Sequence, residues 1–148
     1  MTRHFTVTCA RDFDHPASKV FATWLDPDAR ARFETPAGFG MSHVSFATAQ
    51  GDNGEILIEQ GGAEVGRMFD TIRVLHPGSL AVVHGWGVFG GTTAMTMQTT
   101  FEVTPNNNGC TFHGTSQIVT LGDSPTQAQV EQGWSDMLDR FATVLNDA

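Results

Sequence analysis

The chain is short of positive charge. Of its 148 residues only one, Lys19, is a lysine, and sixteen acids against eight bases leave a formal charge of −8. Counterion-release binding to nucleic acid and attraction to an anionic membrane surface both require the opposite sign, so neither partner is expected. Two cysteines, Cys9 and Cys110, are too few for a disulfide framework. Each falls on the apolar side of an alternating pattern, so buried thiols are expected. No apolar run approaches the roughly 20 residues that span a bilayer, which predicts no membrane insertion. The opening MTRHFTVTCA lacks the continuous apolar segment of a secretory signal and alternates like a strand, so a cytoplasmic location is the expectation. Chemical motifs are equally sparse. His43, His76 and His113 have no zinc-like spacing, no nucleophile elbow or dinucleotide fingerprint occurs, and GVFGGTT lacks the lysine of a phosphate-binding loop. No metal or cofactor is therefore expected.

What the sequence does contain is periodicity. Arg3 to Phe13 alternates, with Phe5, Val7, Cys9, Arg11 and Phe13 on one side. In DHPASKVFATWL, Pro16 suits the first helical position and Val20, Phe21, Trp24 and Leu25 share a face; DPDARARF restarts the pattern with Asp26 as N-cap. Strands are predicted at Ser42 to Ala49, Glu55 to Gln60, Glu64 to Val74, Leu80 to Val88, Ala94 to Thr104 and Cys110 to Leu121, separated by turns such as GDNG, HPGS and PNNNG. From Thr126 to Asn146 an apolar stripe of Val130, Trp134, Met137, Leu138, Phe141 and Leu145 marks one long helix. No linker or repeat interrupts residues 1–148, which read as one domain. The fold class is α+β: a curved antiparallel sheet of about seven strands around a long C-terminal helix, with two short helices after the first strand.

Such a sheet encloses a ligand space if its inward side chains do not fill it. If the bulky face of SLAVVHGWG points inward, His84 and Trp86 line that space, joined by Met68, Asp70, Ile72 and Val74, by Met95, Met97 and Phe101, and by Cys110, Phe112, Ser116 and Ile118. An apolar lining with few convergent polar groups is the composition of a small-molecule pocket. The candidate ligand-binding set is Arg11, Phe39, Met41, Phe46, Met68, Trp86, Met95, Met97, Phe112, Ser116, Trp134, Met137 and Phe141. His84 and Asp70 are the candidate catalytic pair, Asp70 fixing the imidazole tautomer for general acid or base work. The alternative is a hydrogen-bonded core histidine with Asp70 paired structurally.

Several segments resemble the START-like helix-grip superfamily (SRPBCC), which includes the Bet v-type pollen allergens. Within it the chain is most similar to the family named for the activator of the ninety-kilodalton heat-shock protein ATPase. The resemblance is carried by ARDFDHPASKVFATWLDPDARARF, by TPAGF, by LHPGSL and by VEQGWSDMLDRFATVL. Phe33 stands where the family usually has Trp, and GDNGEILIEQGG matches its hairpin only loosely, leaving the register between Ala49 and Gly66 open. The resemblance implies a pocket between sheet and long helix. It also implies three functions to weigh: binding of a hydrophobic or aromatic small molecule, a polyketide cyclase, dehydratase or other lyase activity in the same cavity, and a co-chaperone-like stress-response module. Family habit adds a homodimer.

Overall fold

The computed structural model describes residues 1–147. Seven strands form one sheet: β1 (Arg3–Phe13), β2 (Gly40–Ser45), β3 (Asn53–Gln60), β4 (Ala63–His76), β5 (Leu80–Phe89), β6 (Thr92–Asn106) and β7 (Gly109–Thr120). All pairings are antiparallel, and the spatial order is β1-β7-β6-β5-β4-β3-β2. From β2 onward each strand hairpins onto the next. β1 pairs instead with β7, so the chain must cross the whole sheet between β1 and β2. It does so as two helices, α1 (Ala17–Leu25) and α2 (Pro27–Phe33). The long α3 (Gln127–Asp147) closes the same face, packed against β1 and α2.

The helix ends follow from local chemistry. Asp26 accepts a hydrogen bond from the Ala29 amide at 2.9 Å and Pro27 occupies the first turn of α2. Pro16 lies one position earlier than expected: it is the extended N-cap of α1 and its carbonyl receives the Lys19 and Val20 amides. Thr126 and Gln129 bond reciprocally, side chain to backbone, which satisfies two donors at the start of α3. From α3 the buried residues Trp134, Leu138, Phe141 and Leu145 recur at helical spacing and face the sheet.

β2 is shorter than the predicted Ser42 to Ala49. Its pairing breaks at a bulge between His43 and Ser45, and the amides of Thr48 and Ala49 then turn to the Asp52 carboxylate at 3.1 and 2.9 Å. Cys110 is fully buried and Cys9 partly so; both thiols are free, and burial pushes both up from their ordinary pKa.

Candidate functional site

Strand register lays the concave face out in rows. One row runs Ser116, Thr99, Val83, Ile72 across β7 to β4; the next runs Ile118, Met97, Gly85, Asp70, Gly54; a third runs Thr120, Met95, Gly87, Met68, Ile56, His43. Met68, Phe89 and Met95 close over Gly87, whereas Gly85 places no side chain where the sheet passes beneath α3. A cavity of about 310 Å³ opens there, bounded by Met41, Met68, Met95, Met97 and Ile118 on the sheet side and by Val130, Trp134 and Met137 of α3. Trp24 forms its floor. Away from the cavity the interior is filled with rings: Trp24 lies 4.6 to 5.0 Å, centroid to centroid, from Phe33, Phe112 and Phe141, and it also neighbours Phe101 and Trp134, which line the cavity themselves.

Polar groups gather on one wall. Arg30 of α2 is buried; its Nε donates to Glu34 Oε1 at 2.7 Å, one terminal nitrogen to the Ala47 carbonyl at 3.3 Å and the other to Asp70 Oδ2 at 3.4 Å. The other Glu34 oxygen accepts from His43 Nε2 at 2.9 Å. Phe46 backs the group: its ring stacks on His43 at 4.1 Å and lies 5.5 Å from the guanidinium carbon. Arg30, Glu34 and Asp70 line the cavity. On the facing strands the Thr99 and Ser116 hydroxyls, both buried and both lining the cavity, bond each other at 2.9 Å.

The two carboxylates differ in environment. Burial pushes Glu34 up, but the His43 hydrogen bond and the Arg30 charge outweigh it and hold the carboxyl below its ordinary pKa. At Asp70 burial wins: the carboxyl is pushed up, Arg30 offsets this only in part, and Glu34 adds to the rise. Burial works against the Arg30 charge, yet its two carboxylate neighbours hold the pKa above the ordinary value. Asp70 Oδ1 is sealed from solvent without a hydrogen-bond partner, as is His43 Nδ1. Gly54 makes this seat available, because a β-carbon there would collide with Asp70 Oδ1.

The structure brings together Asp70, Met41, Met68, Met95, Met97, Ser116, Trp134 and Met137 around the cavity. The other predicted site residues lie elsewhere. His84 is exposed on the convex face, since β5 turns Val83 and Gly85 inward; Asp70 sits opposite Gly85, and His84 opposite Thr71. The expected His84–Asp70 acid–base pair therefore has the sheet between its members. Trp86, on the same convex face, stacks on Phe69 at 5.2 Å. Arg11 bonds Asp139 of α3 at 2.7 Å and ties β1 to the helix outside the cavity. Phe39 is 40% exposed in the loop before β2. Phe112 and Phe141 are completely buried in the aromatic core, and Phe46 supports Arg30 from behind. Val74 leaves the inward set because a bulge between Ile72 and Val74 shifts the alternation, so that Leu75 packs inward.

Arg30, Glu34 and His43 are the functional candidates that the sequence reading missed. The signal present was the Arg30 to Glu34 spacing of four on a short helix, which usually marks a solvated ion pair. Among the described residues no group of three His, Cys, Asp or Glu side chains is arranged to hold a metal ion, and no helix is long and apolar enough to cross a membrane.

Solved structures share this fold at low identity. A putative uncharacterized protein from Rhizobium leguminosarum superposes with a TM-score of 0.85 at 19% identity, covering 100% of this chain and 98% of its own. A Rhizobium loti protein gives 0.84 at 23%, covering 97% and 99%, and a Chromobacterium violaceum protein 0.81 at 20%, covering 95% and 96%. The search of curated proteins finds no match. The model of one family spans residues 14–146, nearly the whole chain, and by that match the protein belongs to the activator of Hsp90 ATPase homolog 1-like family.

Proposed function

We propose that the protein binds one apolar or aromatic small molecule in the cavity between the sheet and α3. The observation that carries this reading is the cavity itself: about 310 Å³ of space, walled by methionines, Ile118 and Trp134, with charged groups confined to one wall. The volume lies at the small end of the usual range for ligand pockets, and a mostly apolar lining with a few fixed polar groups suits recognition of a small, oriented guest. Unbranched methionine side chains can adjust to the guest at little cost. The family takes its name from an activator of a chaperone ATPase; the cavity is the feature that favours a small-molecule role here.

Native mass spectrometry and thermal shift across a panel of one- and two-ring compounds test the proposal. A ligand at a hundred times its Kd should stabilise the wild-type fold by about 2.7 kcal/mol. Val83→Trp, which pushes an indole into the middle of the first row, should fold and lose that response. A wild-type protein that binds no member of the panel would overturn the reading.

A further inference from the structure

The wall at Asp70 has an excess of acceptors. The Arg30 donors are directed to Glu34, the Ala47 carbonyl and Asp70, and both Glu34 oxygens are engaged, one by Arg30 and one by His43. Asp70 has a single partner, at the long distance of 3.4 Å, and a second oxygen with none. Its side chain is 21% exposed on a residue that lines the cavity, while Oδ1 is sealed, which leaves Oδ2, with its one long bond, as the oxygen to which a guest could donate. One guanidinium thus faces two carboxylates, and the less well compensated of the two, whose pKa burial raises, is the one with a single partner. A guest that donates a hydrogen bond there supplies what the wall lacks. A guest carboxylate would lie against both Asp70 and Glu34, with Arg30 already divided between them.

Resting on the ligand-binding reading above, we propose that the cavity selects apolar ring compounds bearing a hydrogen-bond donor, foremost a protonated amine, received at Asp70, and rejects the same ring bearing a carboxylate. His43 lies behind Glu34 and keeps that carboxylate occupied, which leaves Asp70 as the receiving group.

Three probes with one body and different heads test this: 2-naphthylmethylamine, 2-naphthalenemethanol and 2-naphthoate, titrated calorimetrically into the wild-type protein at neutral pH. The amine should bind about tenfold or more tighter than the alcohol, because a charge-assisted hydrogen bond is roughly twice as strong as a neutral one, and the alcohol tighter than the carboxylate. Asp70→Asn, close to isosteric, should bring the amine to within about threefold of the alcohol while the alcohol still binds. The wild-type order is decisive even if that variant fails to fold. A carboxylate that binds as well as the alcohol, or three equal affinities, would overturn the donor preference and leave the ligand-binding reading standing. Absence of binding by all three, together with no hit from the wider panel, would overturn both.

Discussion

The two ends of the interior are built from the same face of the same sheet and behave oppositely. At one end Phe33, Phe112 and Phe141, none of them exposed at all, close around Trp24, and Phe13 packs on Phe141. At the other, Gly85 of β5 and Met68, Met95 and Met97 border a space that remains unfilled. The difference lies in side-chain shape. Rigid rings in edge-to-face contact fix one packing, whereas glycine leaves volume empty and methionine borders it adaptably. The aromatic end holds the fold, and the methionine end has room for a guest. Trp24 belongs to both, as a member of the ring cluster and the floor of the cavity.

Substitution separates the two ends most strongly at the aromatic one. Phe141→Ala removes a completely buried ring that touches Phe13, Trp24 and Phe33. It should cost about 3–5 kcal/mol in chemical denaturation, the usual price of deleting a core aromatic. Met97→Ala, at the open end, merely enlarges a space that already exists, and should cost well under half as much. Equal losses would erase the distinction between a sealed and an open region.

The polar wall is the second place to break the comparison, because among the described residues it holds the charged groups that line the cavity. Arg30→Met leaves Glu34 and Asp70 without their shared cation. Breaking a fully sealed pair costs about 3–5 kcal/mol; these carboxyls keep some exposure and can take up protons, so roughly 2–3 kcal/mol at neutral pH is expected. The pH dependence carries the sign. In the wild type, Glu34 has a folded pKa below its ordinary value, so its contribution is present above the unfolded pKa and is lost as pH falls through the folded one. Asp70 already has a folded pKa above its ordinary value, and removal of the Arg30 charge should raise both folded carboxyl pKa values relative to the wild type, so the variant loses stability against the wild type as pH rises through that interval. The gap between the two proteins should therefore widen from acid to neutral pH; a gap that stays constant between pH 4 and 7.5 would show that Arg30 acts by packing alone.

Much of this was legible in the sequence, and the failures have physical causes. In β6 and β7 the inward sets read correctly because the outward positions are Thr96, Gln98, Thr100 and Glu102, and His113 and Gln117, so contrast in polarity marks the faces. β5 has no polar face. Val82, His84, Trp86 and Val88 point outward, with Trp86 resting on Phe69, while Gly85 and Gly87 point in together with Val83 and Phe89. A rule that puts bulk inside inverts such a strand; Gly85, set between His84 and Trp86, was itself the sign of a position left empty. Arg30 was illegible for a different reason. Its burial depends on α2 being carried across the sheet by the β1 to β2 crossover and on the Ala47 carbonyl and Asp70 meeting it there, contacts that no local pattern encodes.

The smallest effect is expected on β5's convex face. His84 is exposed, its ring 6.1 Å from that of Trp86, and the sheet separates it from Asp70. Substitution of a surface side chain away from caps, buried networks and strained backbone usually changes stability by less than about 0.5 kcal/mol. His84→Ala should stay within that limit and leave the affinity of 2-naphthylmethylamine unchanged, measured by the same denaturation and calorimetry. The neighbouring position gives the contrast: a β-carbon at Gly85 would lie 3.1 Å from the Phe69 carbonyl oxygen and 3.6 Å from Met97 Cγ, inside the cavity row. Gly85→Ala should therefore weaken binding where His84→Ala does not. A tenfold loss from His84→Ala would mean that the convex face communicates with the cavity after all, and would return the histidine to the site from which the strand's parity removes it.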